Sequence, residues 1–145
     1  MSRAMFLAFA AALMVSGCAS VPMASAQRDA ELKTFQAPED GNAGLYIYRN
    51  SFVGQALKKN LYINGELLGE SANKTYFYRQ VEPGEYTVST ESEFSDNAFK
   101  LLVEAGRNYF VRQYIKMGVF VGGANLELVS EEEGKKGVLA SGLAQ

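Results

Sequence analysis

Leu61-Tyr62-Ile63-Asn64-Gly65-Glu66-Leu67-Leu68 reads as a β-hairpin. Asn-Gly supplies the two positive-φ positions of a type I′ turn, whose twist matches that of the flanking strands. Downstream, Thr75-Tyr76-Phe77-Tyr78-Arg79-Gln80 has strand composition. Glu82-Pro83-Gly84-Glu85 follows as an expected type II turn, with proline holding φ and glycine taking φ > 0. Glu85 to Glu91 then alternates: Tyr86 and Val88 point inward, while Glu85, Thr87, Ser89 and Glu91 point to water. Upstream, Leu45-Tyr46-Ile47-Tyr48-Arg49 is a strand with bulk on both faces.

The same pattern continues toward the C-terminus. Ala98 to Glu104 places Phe99, Leu101 and Val103 on one face. After a turn at Ala105-Gly106-Arg107, Asn108 to Lys116 opposes Tyr109, Val111 and Ile115 to Phe110 and Tyr114. Val119-Phe120-Val121 extends this strand or begins the next element, and Gly122-Gly123 turns the chain into Asn125 to Val129. Ser130 and Glu133 form a capping box, opening a helix that Gly134 and Gly137 confine to a short piece ending near Leu139. The expected fold is all-β: a small antiparallel β-sandwich of about seven to eight strands over residues 43–145, closed by a short C-terminal helix.

The N-terminal segment has a different character. Arg3 precedes the apolar run Phe6 to Met14, and Val15-Ser16-Gly17-Cys18 follows with the only cysteine. The run is too short to cross a bilayer, which needs about 20 apolar residues. Its order (charge, apolar run, aliphatic residue, two small residues, cysteine) is that of a bacterial lipoprotein signal. Residues 1–17 are then a signal peptide, and Cys18 carries diacylglycerol on sulfur and usually a third chain on its amine. Acylation at this one residue holds the protein on the bilayer. Ala19 stands where inner-membrane lipoproteins of the enteric type carry aspartate, which favours the outer membrane. Residues 18–42 form the lipidated N-terminus and a flexible tether, marked by the linker residues Ser20, Pro22, Ser25, Gln27, Pro38, Asp40, Gly41 and Asn42 and by the lack of a period-2 pattern, with a short helix expected within Ala26 to Phe35. The rival is cleavage after Ala26, at Ala24-Ser25-Ala26, which releases a soluble periplasmic module without cysteine.

Chemistry is harder to find. The 145 residues contain no histidine, which excludes Ser-His-Asp and Cys-His catalysis and zinc-histidine sites. No phosphate-cradling glycine loop occurs, and no cofactor or metal is expected. The net charge of −2 makes nucleic acid a poor partner. Acids cluster at Glu91, Glu93 and Asp96 and at Glu131 to Glu133; they read as solvated surface, with a carboxylate-dependent hydrolase as the enzymatic alternative. Tyrosines are in surplus on the strands. They serve either as core with hydroxyls at the rim or as an exposed face for glycan or peptide, for which Tyr46, Tyr48, Tyr76, Tyr78 and Arg79 are the candidates. Tyr76 and Tyr78 share a face that Phe77 does not, so one set meets the core and the other meets solvent or a covering element. Arg49, Arg79 and Arg112 are expected to be exposed, with anion contact as the alternative.

Several of these phrases occur together in a known type: Gly44-Leu45-Tyr46-Ile47-Tyr48-Arg49, Leu61 to Gly69, Tyr76-Phe77, Val81 to Val88, and Glu104-Ala105-Gly106-Arg107-Asn108-Tyr109-Phe110-Val111. Over about Gly44 to Leu139 the chain resembles bacterial lipoproteins of the Domain of Unknown Function 2846 family, and its middle section resembles PEGA-type β-sandwich modules. The resemblance implies an exported, often lipid-anchored β domain and brings no catalytic residues. Gly118, Gly122 and Gly123 depart from the pattern and leave the path of the last strands open. The function expected is a non-enzymatic binding or scaffolding domain. It faces the periplasm, is anchored to the membrane, and has an envelope protein or peptidoglycan as partner.

Overall fold

The structure, a computed structural model, describes residues 19–92, 95–118 and 122–145. The signal segment, Cys18, Glu93 and Val119-Phe120-Val121 lie outside the described residues. In chain order the elements are α1 (Ala26–Leu32), β1 (Ala43–Arg49), β2 (Lys59–Ile63), β3 (Glu66–Ser71), β4 (Thr75–Val81) and β5 (Gly84–Thr90). They continue with β6 (Asn97–Val103), β7 (Asn108–Lys116), β8 (Gly123–Val129), α2 (Glu131–Leu139) and β9 (Gly142–Leu143).

Two sheets form, ordered β8-β7-β1-β4-β9 and β3-β2-β5-β6. Between them lies an apolar core with Leu45, Ile47, Phe77 and Val111 on one side and Leu61, Val88, Leu101 and Val103 on the other. The expected all-β sandwich with a C-terminal helix is therefore present. Its larger sheet is mixed rather than purely antiparallel: β1 runs parallel to β7, and β4 parallel to β9. The chain leaves β1 for β2 and β3, returns as β4 beside β1, crosses again for β5 and β6, and comes back as β7 on the opposite side of β1 from β4, so no hairpin links the parallel pair.

Local chemistry explains the corners. Asn64 and Gly65 take φ of 50° and 79°, both positive as a type I′ turn requires. At the next corner Gly84 has φ 149°, positive but more extended than the second central residue of a type II turn, and as the first residue of β5 it already pairs with Val103 of β6. The Tyr86 hydroxyl donates to the Glu82 carbonyl at 2.7 Å and pins that corner. The Ser130 side chain accepts from the Glu133 N–H at 3.2 Å, so the expected N-cap forms.

The N-terminal tether is a correction. Residues 19–35 are docked on the sandwich. Val21 packs against the core, Met23 bridges to Ala144, and the Gln145 N–H donates to the Pro22 carbonyl. The Ser25 side chain caps α1 through the Arg28 N–H. What the linker composition conceals is that Val21, Ala24, Leu32 and Phe35 are apolar and find uncovered sheet to bury against.

Candidate functional site

The tyrosine-rich face lies on the outer side of the larger sheet. Tyr46 and Tyr48 on β1, Tyr76 and Tyr78 on β4, and Phe110 on β7 point away from the sandwich core, because residues of a strand alternate. A strand pair with bulk on both faces needs two covers, and this chain supplies the second itself. Leu32 and Phe35 come from the N-terminal segment and Val138 from α2, while Leu143 of β9 extends the same face of the sheet beside Tyr76. The helix α2 lies flat on the rings because it presents Gly134 and Gly137. A Cβ at Gly134 would overlap Phe110, and one at Gly137 would overlap Tyr48. These glycines read in sequence as helix limits; in the fold they permit close approach.

This geometry corrects the exposed tyrosine face. Tyr46, Tyr48 and Tyr76 are buried. The Tyr46 ring stacks on Phe110 at 5.0 Å between centroids and sits 4.6 Å from Tyr78. Its hydroxyl donates to the Leu32 carbonyl at 2.8 Å. The Tyr76 hydroxyl donates to Asp29 Oδ1 at 2.8 Å. Burial raises the pKa of Tyr46, Tyr48 and Tyr76, with the Asp29 carboxylate adding to the rise at Tyr76. These phenols therefore stay protonated and act as rigid donors within the packing. Asp29 joins α1 to the sheet. Desolvation pushes its pKa upward, but bonds from Lys33 Nζ, the Tyr76 hydroxyl and the Leu143 N–H outweigh this and hold it below the ordinary carboxylate value.

Tyr78 and Arg79 keep partial access, but they do not converge. Tyr78 is half-buried and, with Arg28, Glu31 and Gln80, lines a groove of about 390 Å³ beside α1. Arg79 points to the other side of β4 and lines a groove of about 370 Å³ with Leu67, Val81 and Tyr86. Its guanidinium donates to the Tyr78 carbonyl at 2.8 Å. The five candidate residues thus divide among a buried layer and two separate grooves.

A polar cluster inside the sandwich was not foreseen. Arg49, expected at the surface, is 1% exposed. Its guanidinium donates to the carbonyls of Leu57 and Gly54, each at 2.7 Å, and to Ser71 at 3.3 Å; its Nε has no partner. Burial lowers its pKa to about 10, so it remains charged at neutral pH. Beside it Ser71 bonds Gln113, which donates to Thr90 at 2.7 Å, and Thr90 donates to the Asn60 carbonyl at 2.8 Å. The cluster organises the loop 50–58 from beneath. In sequence, Arg49 ends an otherwise buried strand just before a loop of exposed carbonyls, and that position was the available signal. Arg112 lies in neither setting: it pairs with Glu127 at 2.9 Å.

The loop acids do not form a catalytic pair among the described residues. Glu91 accepts from the Asn60 N–H, and Asp96 is exposed. The third, Glu93, is outside the described residues. Glu131 pairs with Lys135 at 2.7 Å and Glu132 with Lys136 at 3.6 Å, as i,i+4 helix pairs do. Among the described residues no cluster of three metal-ligating side chains occurs, and no helix is long and apolar enough to cross a membrane.

The strand directions gather at one end of the sandwich the connections 50–58 and 72–74 and the described residues 91–92, 95–96, 117–118 and 122. Phe52 is 79% exposed there, Val53 47% and Met117 86%. The first described residue also lies at this end, the Ala19 N–H donating to the Gln55 carbonyl at 3.1 Å.

No solved structure matches this chain. An uncharacterized protein of Haemophilus influenzae is 58% identical over 127 residues, covering 88% of this chain and 76% of the relative. Residues 39–124 match the family described as "Protein of unknown function (DUF2846)". That match spans β1 to the start of β8, the body of both sheets that the Asn-Gly hairpin and the Pro-Gly corner organise, and with it the chain belongs to the DUF2846 family.

Proposed function

We propose that this protein is an envelope lipoprotein, anchored through acylated Cys18 to the periplasmic face of the outer membrane, whose β-sandwich binds or scaffolds rather than catalyses. The observation that carries the reading is how early the fold begins. Ala19, Val21, Met23, Ala24 and Ser25 all contact or cap the domain. Cleavage before Cys18 keeps every one of these contacts. Cleavage after Ala26 removes the N-cap of α1, the bridge to Ala144 and the residue beside Gln55. The small residues Ser16 and Gly17 before the cysteine suit the first cut.

The non-enzymatic part rests on how the reactive groups are used. The candidate phenols are engaged in packing, and Glu91 holds a backbone N–H. A partner in the periplasm, either another envelope protein or peptidoglycan, is met by the grooves at Tyr78 and Arg79 or along the edge strands β3 and β6, where Leu67 and Leu102 are exposed.

Intact mass of protein extracted from the membrane fraction tests the anchor. The expected species begins at Cys18 and carries the acyl mass; an unmodified chain beginning at Gln27 overturns the reading. Cys18→Ser is expected to move the protein out of the membrane fraction. Crosslinking in intact cells is expected to enrich one envelope protein or wall fragment, and failure to enrich either counts against the scaffold role.

A further inference from the structure

We infer that the loop end of the sandwich lies against the lipid bilayer, with Phe52, Val53 and Met117 entering the interface beside the anchor, so that the domain is held in one orientation rather than swinging on a tether. The inference rests on the anchor reading above and goes beyond it. A lipid chain alone says only that the protein is near the membrane; the placement of the apolar loops says which way it faces.

Three observations converge. Phe52 and Met117 are the most exposed large apolar side chains among the described residues, and both belong to connections at the same end. The two connections are packed together at their base: a Cβ at Gly54 would stand 2.5 Å from Ile115, and one at Gly122 would stand 2.7 Å from Leu57. The loop 50–58 is also fixed from below by Arg49, which donates to the carbonyls of Gly54 and Leu57. A phenylalanine exposed on a loop held this firmly has no route into the core, and its burial needs an outside apolar phase.

The second observation is where the chain comes from. Ala19 is bonded to Gln55, three residues from Phe52, and Cys18 is the residue before Ala19. Consecutive Cα atoms lie about 3.8 Å apart, so acyl chains on Cys18 start at this end. With residues 19–25 docked on the domain there is little slack to let the sandwich rotate away from the surface.

The third is charge. Around the loop end stand Lys58, Lys59, Lys74 and Lys116. The acids facing them are Glu70, which pairs with Lys58 at 3.9 Å, Glu91, which accepts from Asn60, and exposed Asp96. The opposite end carries Glu39, Asp40, Glu82 and Glu104 in its loops, with Arg107 near Glu104. Glu93 also belongs to the 91–96 connection by sequence, so lysines and acids balance at the first end while the second is acidic, and an anionic bilayer repels the second end more than the first. Lysine stems at the first end can reach headgroups while the apolar tips enter. The same polarity leaves the grooves at Tyr78 and Arg79 toward the periplasm.

The chain has no tryptophan, so one introduced residue reports without background. The full acylated protein carrying Phe52→Trp is placed in vesicles of phosphatidylethanolamine and phosphatidylglycerol, with or without bromine on the acyl chains. Leu102→Trp, exposed near the other end of β6, is the control. The expected result is a blue-shifted Phe52→Trp emission that brominated lipid quenches to a small fraction, while Leu102→Trp is unshifted and hardly quenched. Equal, solvent-like emission from both variants on acylated protein overturns the docking and leaves the anchor standing. A blue shift without quenching means that a second protein covers the loops, and it also overturns the docking. Protein whose mass shows no acylation at Cys18 overturns both.

Discussion

The Gly134 and Gly137 pair shows how far a residue's meaning depends on what it touches. Alanine in an exposed helix position is worth about 1 kcal/mol over glycine. Here the added methyl would meet Phe110 or Tyr48, both fixed in the buried layer. Gly137→Ala is therefore expected to destabilise the fold by about 1–3 kcal/mol in denaturant unfolding; a gain in stability would mean that α2 does not lie on the ring. Asp29 makes a second residue-scale prediction. Its folded pKa is below the ordinary value of 3.8. The stability it contributes is thus fully present above that value and is lost as pH falls through the lowered one. Asp29→Asn should be less stable than the natural chain at neutral pH, and the two should converge as pH falls below the lowered folded value. Parallel curves at all pH values would show that the carboxylate charge plays no part.

At the scale of elements, the N-terminal segment behaves as a component of the fold. It supplies a cap at Ser25, a bridge at Met23 and apolar cover at Leu32 and Phe35. Loss of an N-cap alone costs about 0.5–2 kcal/mol. A chain beginning at Gln27 also loses the pairing with the last strand, so it is expected to melt several degrees below one beginning at Ala19, as a scanning calorimeter would show. Equal melting temperatures would return residues 19–25 to the role of a tether. The linker residues Ser20, Pro22 and Ser25 concealed this, and Val21, Met23, Leu32 and Phe35 are too irregularly spaced to show a period. The strands were far more legible. β5 and β7 alternate as their residues suggest, with Tyr86, Val88, Val111 and Ile115 inward, because a half-buried strand imposes period 2 directly on the chain.

For the whole molecule, the sandwich has two unlike ends and two unlike faces. One face of the larger sheet meets the second sheet, and the other meets a layer that includes the two short helices. That second cover turned the tyrosines from a candidate binding face into packing. Strand composition and turn chemistry at Asn64-Gly65 and Ser130 were enough to establish an all-β chain with a terminal helix, because φ preferences and alternation are properties of a few neighbouring residues. The proposed anchor likewise rests on neighbouring residues, the apolar run Phe6 to Met14 and Val15-Ser16-Gly17-Cys18 after it. Three matters depended on residues distant in the chain: the parallel pairing of β1 with β7, the burial of Arg49 against Ser71 of the second sheet, and the docking of α1 over Tyr46 and Tyr76. Each of these is settled by which surfaces remain uncovered once the sheets have formed, and that quantity exists only in three dimensions.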